Sequence, residues 1–484
     1  MKNFCLNLGR ATGFVAAATT LLLTACAPGQ ETPAPITNVN VSSYLAVGDT
    51  YTAGISAGGL TRNSQEYSFP NLLAKQFQAF SGGGAFTQPV IDGTGSGYLS
   101  FVDVTPLGYV RSRRVAGQAV RGTVITPNAC IGFDTVRLLT RSATAGTLPQ
   151  NLGIPGLALS QFEVTNLGNQ SNATPGSAFN PYFERLLPAM DSRTYLQTLT
   201  TASNSATFFT FFQGLDDLMP YLVSGGECGP VLQGSTYVAF GNQMKINAKK
   251  ALDVLTTNGR AGVIARLPSV TTLPLLSLGE GVKLDSTLQV RFGDNAHLYI
   301  EDPFGAGVTR PIGKGDYVLA TAISRIGQLT PVVVGSNTLM LPYGRDIRNP
   351  LRDVDVLDSN NEMNFVNSII ASYNFTDNVN SPRAIPGLEQ LAKAYNLPVV
   401  STSTGERTLN LTNTLFSPVS ELISVGGVQY SAQPLRGGFF SVDYYSLTPR
   451  GNGLLANAFI TAINRAYRTN IPAIDVNKLP TVAQ

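Results

Sequence analysis

Thr50, within Gly48-Asp49-Thr50-Tyr51-Thr52-Ala53-Gly54, is a hydroxyl set just after the apolar run Tyr44-Leu45-Ala46-Val47. Such a run, closed by small residues, reads as a buried parallel strand. A hydroxyl can attack an electrophile at neutral pH only if a base within hydrogen-bond reach takes its proton. The usual base is an imidazole, and the chain has one, His297, in Asp294-Asn295-Ala296-His297-Leu298. A lone histidine of this kind reads first as a surface or satisfied structural residue. Lys314, in Gly313-Lys314-Gly315-Asp316, lacks the strand–loop–helix setting of a phosphate loop and reads as part of a turn. Asp216 or Asp217, in Gly214-Leu215-Asp216-Asp217, offers a carboxylate base for water, with no acid partner marked out beside it. Asp353, Asp355 and Asp358 are spaced like calcium-loop ligands but lack the following glycine and terminal glutamate, so a solvated turn is expected. Gly93-Thr94-Gly95-Ser96-Gly97 is followed by no helix and reads as a flexible loop. No metal and no cofactor is expected.

The elements that must position these residues alternate between strand and helix. Helical spacing of Leu72, Leu73, Phe77 and Phe80 predicts a helix over 69–80. Phe208 to Phe212 predicts a strand ending at Gly214 and belongs to the core rather than to a stacking platform. A helix over 241–257, stopped by Asn258-Gly259, leads to the strand Val263-Ile264-Ala265. Residues 361–373 and 386–396 predict helices, and Pro398-Val399-Val400 a short strand. Leu454, Leu455, Ala458, Phe459, Ala462 and Ile463 mark one face of a last helix. This alternation predicts an α/β fold with a parallel sheet covered on both faces. Residues 81–150 and 280–345 interrupt it and read as β-rich insertions, the second with Gln289-Val290-Arg291-Phe292 and Tyr299-Ile300 in strand-like runs. In an open parallel sheet, ligands sit beyond the carboxyl ends of the strands. Four segments are expected to converge there: 48–54, Asn151-Leu152-Gly153-Ile154-Pro155-Gly156, 214–217, and Asp443-Tyr444-Tyr445-Ser446-Leu447-Thr448-Pro449-Arg450-Gly451.

In this order the four segments resemble the sequence blocks of the SGNH/GDSL hydrolase family, over nearly all of residues 44–470. The branch of lipoproteins found in Bacteroidetes-type bacteria is the most similar, because its members open with Gly-Asp-Ser-Tyr-Thr-Ala-Gly. Glu66-Tyr67-Ser68-Phe69-Pro70-Asn71-Leu72-Leu73 and Leu447-Thr448-Pro449-Arg450-Gly451 are similar to that branch too. The resemblance implies a flavodoxin-like three-layer α/β/α sandwich and, in active members, ester or acyl hydrolysis. It also implies a Ser–His–Asp triad. The implied oxyanion hole consists of the serine N–H, a block-two glycine N–H and an asparagine side chain. Thr50 stands at the serine position, Asp216 at the asparagine position and Ser446 at the histidine position, while Gly156 and Asp443 match. Serine cannot act as base for a hydroxyl of equal acidity, and the methyl group of Thr50 crowds the approach of an acyl carbon. Loss of one oxyanion donor costs on the order of 3–4 kcal/mol. Loss of the base costs on the order of 10⁶ in rate. The expectation is a catalytically degenerate pseudo-hydrolase that keeps a cleft for an acyl-ester or lipid-like ligand or a protein partner. Its alternatives are an active ester hydrolase using Thr50, or a structural accessory lipoprotein of an outer-membrane assembly.

The N-terminus bears on location. Lys2 and Arg10 flank the apolar stretch Ala11 to Leu23, too short for the roughly 20 residues that span a bilayer. The stretch reads as a signal peptide over 1–25. Its ending Leu23-Thr24-Ala25-Cys26 resembles a bacterial lipobox, which implies a lipidated Cys26 as the membrane anchor. Residues 26–43 read as lipidated cysteine and flexible tether, and 471–484 as a C-terminal tail. Ala27, where some Gram-negative lipoproteins carry a retention aspartate, favours the outer membrane. Of the remaining cysteines, Cys130 and Cys228 are candidates for a disulfide in an oxidising compartment. Removing Lys2 and Arg10 lowers the net charge from +3 to +1, so no nucleic-acid partner is called for.

Overall fold

The computed structural model describes residues 39–482, apart from 105–108, 129–131, 175–177, 230–235, 294, 302–307, 360–361, 376–383, 401–422 and 432. Its centre is a five-stranded parallel sheet of β1 (Tyr44–Gly48), β2 (Asn151–Gly153), β3 (Phe208–Phe212), β4 (Ala261–Ala265) and β5 (Val399–Val400). The strands lie in the order 2-1-3-4-5. Chain direction across the sheet reverses at β1, which opens a switch point between β1 and β3, where a crevice is expected beyond the strand ends.

β1 and β3 are buried along their whole length, as strands covered on both faces must be. In β3 the side chains alternate between the two faces. Phe208 meets Phe77 of helix α1 (Phe69–Phe80) and Tyr467 of helix α5 (Pro449–Tyr467), with ring centroids 5.5 and 6.0 Å apart. Phe69 stacks on Phe459 at 4.9 Å and so joins α1 to α5. On the other side, α2 (Thr236–Leu255), α3 (Glu362–Asn374) and α4 (Leu388–Ala394) pack against one another. This arrangement is compatible with a three-layer α/β fold. The last segment is not free of the core: Ile471 and Val476 are buried, and Asn457 of α5 bonds Ile474 through both its amide and its carbonyl.

The interruption at 81–150 is built of two antiparallel hairpins, Tyr98–Val104 with Val110–Val115 and Val120–Asn128 with Gly132–Leu139. The one at 280–345 is mixed, which corrects the expectation of strand over Gln289–Phe292: Gly281–Phe292 is an α-helix. It buries Leu284 and Leu288, four residues apart, while Val290 and Phe292 face outward. The alternation of Val290 and Phe292 imitated a strand because both lie off the buried stripe.

Two turn expectations also need correction. Gly93–Gly97 is a closely packed turn, not an open loop: Ser96 is buried and accepts from Leu60 N at 2.9 Å, and a Cβ at Gly95 would overlap the carbonyl oxygen of Leu60. The Asp353–Asp358 stretch is not a solvated turn, because Asp355 and Asp358 are both buried. Asp355 is engaged by Arg325 and Tyr343, so ion pairing and hydrogen bonding compensate its burial. Among the described residues no helix is long and apolar enough to cross a membrane, and no group of acids, histidines or cysteines is arranged to hold a metal.

Candidate functional site

β1 must end in glycine. A Cβ at Gly48 would overlap Thr52 Oγ1 and the carbonyl oxygen of Phe212, so the turn after β1 lies flush on the end of β3. The next residue, Asp49, is a tie between loops. Its Oδ2 accepts from the backbone N–H groups of Gly214, Leu215 and Asp216 at 3.1, 3.0 and 3.3 Å, and its Oδ1 from Tyr51 N at 3.4 Å. Gly214 has φ +121°, a conformation that L side chains rarely adopt and that lets the chain turn its amides onto Asp49.

This tie delivers Asp216 to Thr50. One carboxylate oxygen of Asp216, Oδ2, accepts from Thr50 Oγ1 at 2.6 Å, from Thr50 N at 3.0 Å and from Gly156 N at 2.7 Å. Gly156 is in the left-handed region, φ +72°, and its exposed backbone turns its N–H toward that oxygen. Two backbone N–H groups and a hydroxyl therefore converge on a single oxygen of the protein's own side chain. Burial pushes the Asp216 carboxyl above the usual carboxylate range, while the bonds from Thr50 and Gly156 pull it back down. Asp49 is likewise raised by burial and then by the charge of Asp216, so the two titrate as a pair. Asp217 points elsewhere, accepting from Leu159 N at 2.8 Å, and burial pushes it up to about 7.

The fourth segment forms a separate cluster. Asp443 Oδ2 accepts from Ser446 Oγ and from Gly58 N, both at 2.6 Å, and Oδ1 from Ser446 N at 3.0 Å. Ser446 is completely buried, and burial raises the Asp443 carboxyl. Tyr444 and Ala57 flank this knot with φ +69° and +52°, which is strained backbone for residues with a Cβ. Tyr51 Oη donates to the carbonyl of Tyr445 at 2.7 Å and links the two clusters.

All four predicted segments thus meet at one end of the sheet, but their groups are not wired as a triad. The hydroxyl of Thr50 is turned to Asp216 and that of Ser446 to Asp443. His297 is elsewhere: its half-exposed ring holds Nδ1 3.0 Å from Gln289 Nε2 and 3.3 Å from Asp285 Oδ2, with no hydrogen bond to Thr50. Lys314 is exposed in its turn. Cys228 is disulfide-bonded, whereas Cys130 and Cys26 lie outside the described residues. The roles that the sequence left unassigned are those of the ties, Asp49 and Tyr51, and of the neighbouring Tyr445. Asp49 and Tyr51 flank Thr50, and only their position next to the candidate hydroxyl could have flagged them. Compared with known protein families, curated proteins and solved structures, the chain matches none of them.

Proposed function

We propose that the protein is an exported, lipid-anchored pseudo-hydrolase of the SGNH/GDSL type, with a flavodoxin-like scaffold whose crevice binds rather than cleaves. The observation that carries the reading is the placement of Asp216 Oδ2 on Thr50 N and Gly156 N. In a hydrolase, such backbone donors must be free to receive the oxygen of a substrate carbonyl as it gains charge. Here they already hold an oxygen of the chain's own side chain, so a substrate oxygen would first have to displace it.

The short bond from Thr50 Oγ1 to Asp216 invites the alternative of a threonine nucleophile with an aspartate base. The same oxygen would then have to serve as base while vacating the oxyanion position, which one atom cannot do. His297, engaged by Asp285 and Gln289, supplies no substitute. Anchoring through Cys26 in the outer membrane belongs to the same proposal. The disulfide at Cys228 fits an oxidising compartment.

The test is hydrolysis of p-nitrophenyl acetate and butyrate. The wild-type chain is expected to give no turnover above the buffer rate. A variant carrying Thr50→Ser, Asp216→Asn and Ser446→His is expected to gain it, because Asp443 is already placed to orient an imidazole at position 446. Wild-type turnover that disappears in Thr50→Ala would overturn the reading.

A further inference from the structure

The hairpin of Leu329–Val334 and Asn337–Pro342, inside the 280–345 interruption, pairs with no other strand among the described residues. Its hydrogen bonds to the rest of the described chain are confined to its root. There Gly327 N donates to Tyr343 O at 2.8 Å and Tyr343 N to Gln328 O at 2.9 Å. The Asn349 side-chain amide donates to Thr330 Oγ1 and to Leu341 O, both at 2.8 Å. No charged residue stands between Arg325 and Arg345. Cross-strand partners share a face, so Leu329, Pro331 and Val333 lie with Met340 on one side, and Val332 and Val334 with Leu339 on the other. The first side is open to solvent, with Val333 74%, Leu329 63% and Met340 56% exposed. On the second, Leu339 is exposed and the two valines are half-buried.

An isolated ribbon that is apolar on both sides is marginal in water and needs a cover. A protein surface covers one side, and edge-to-edge pairing with a second copy fills the backbone ladder but leaves both sides wet. Lipid encloses both. The open edges and the polar turn Gly335-Ser336-Asn337 forbid passage through the hydrocarbon core, where every backbone group needs an internal partner. They permit entry into the headgroup–acyl boundary, about 5–10 Å deep. At roughly 3.3 Å per residue, that depth takes in about three residues of each strand, Val332 to Val334 and Asn337 to Leu339. Strands about 20 Å long then leave the root near the outer edge of the headgroups. Arg345 stands at that root: a Cβ at Gly327 would lie 3.6 Å from its Cδ, and its guanidinium is 4.4 Å from the ring centre of the exposed Phe292. Arg325 and Arg348 nearby pair with Asp355 and Asp346, whereas Arg345 has no acidic partner among the described residues.

We propose that the Leu329–Pro342 hairpin is a membrane-contacting arm, whose tip dips into an anionic bilayer while the Arg345 guanidinium meets lipid phosphate. The inference rests on the exported, anchored reading only for the presence of a membrane. Cys26 precedes the first described residue, Val39, by 13 positions, a reach of at most about 45 Å that keeps the folded part beside the bilayer. A second contact fixes how the crevice is turned toward that bilayer, which a flexible tether alone leaves free.

The test is co-sedimentation with vesicles of the mature chain from residue 26, which contains every described residue, carrying Cys26→Ser so that no acyl chain contributes. One set of vesicles holds equal parts of phosphatidylcholine and phosphatidylglycerol, the other phosphatidylcholine alone. Binding to the mixed vesicles is expected. Val333→Asp and Met340→Asp, both at exposed positions, should each weaken it at least about tenfold, with the urea midpoint unchanged. Arg345→Gln should weaken it about fivefold on the mixed vesicles and leave binding to phosphatidylcholine unaltered. Ile125→Asp, at an exposed apolar position of a different hairpin, should change nothing. Sedimentation velocity without lipid should give a monomer. No vesicle binding, binding indifferent to Val333→Asp and Met340→Asp, equal loss in Ile125→Asp, or a lipid-free dimer that Val333→Asp dissolves would each overturn the arm. Mixed-vesicle binding unchanged by Arg345→Gln would overturn the role given to that guanidinium. Neither acylation nor turnover enters these readouts, so failure of the Cys26 anchor or of the pseudo-hydrolase reading would be seen separately.

Discussion

An amide and a carboxylate differ at position 216 by one heavy atom, yet they assign opposite roles to the same loop. An asparagine there could donate to an oxygen held by Thr50 N and Gly156 N, whereas Asp216 Oδ2 accepts from those donors and lies on them itself. The neighbouring Asp217 shows what burial does when compensation is thin: one oxygen has Leu159 N, and the other has no partner among the described residues. Its pKa is pushed up to about 7, against about 4 for an unfolded aspartate. The folded chain then keeps a proton that the unfolded chain releases. Stability from this group is greatest below about pH 4 and declines as pH rises toward 7. Asp217→Asn removes that decline. In urea denaturation at pH 5, 6, 7 and 8, the variant should gain on the wild type up to pH 7, by at most about 1.4 kcal/mol per pH unit, and hold its lead above. A stability difference independent of pH would refute the assignment.

The elements around the site are held by close backbone approach more than by long side chains. Gly153, at the end of β2, has no room for a Cβ, which would overlap the backbone of Thr52 and Ala53 in the turn that carries Thr50. Gly153→Ala should therefore cost about 1–3 kcal/mol, read as a lower urea midpoint with an unchanged slope. It should also displace Thr50 from Asp216. An unaltered midpoint would mean that the turn is not packed as described. At the far side of the site, Thr448 caps α5 by accepting from Gly451 N at 2.9 Å, which explains why a helix begins just after the Asp443 knot.

At the scale of the whole molecule, the proposal is an anchored binding protein. Its anchor makes a separate prediction. When the full chain is expressed in a Gram-negative host fed an alkyne-bearing palmitate, the protein should take up label and fractionate with membranes. Cys26→Ser should abolish the label and release the protein. Label retained in Cys26→Ser, or a wild type that never acquires it, would remove the lipoprotein part of the proposal without touching the site. The disulfide at Cys228 is one sign that the folded chain suits an oxidising environment.

Local pattern alone sufficed for four of the five sheet strands, β2 at Asn151–Gly153 being the exception, for the helix at 69–80 and for the buried face of the last helix. Each follows from hydrophobic period and from the rule that small residues close such strands. It failed at Gln289–Phe292, where two outward apolar residues mimicked strand alternation, and at Asp355, whose burial is compensated by Arg325 and Tyr343, 30 and 12 residues away. Residue types also told that Thr50 lacks an imidazole. Only the tertiary structure decided where Asp216 points. A carboxylate's position is set by the donors that surround it, and Thr50 and Gly156 reach it from two other loops, separated from it by 166 and 60 residues.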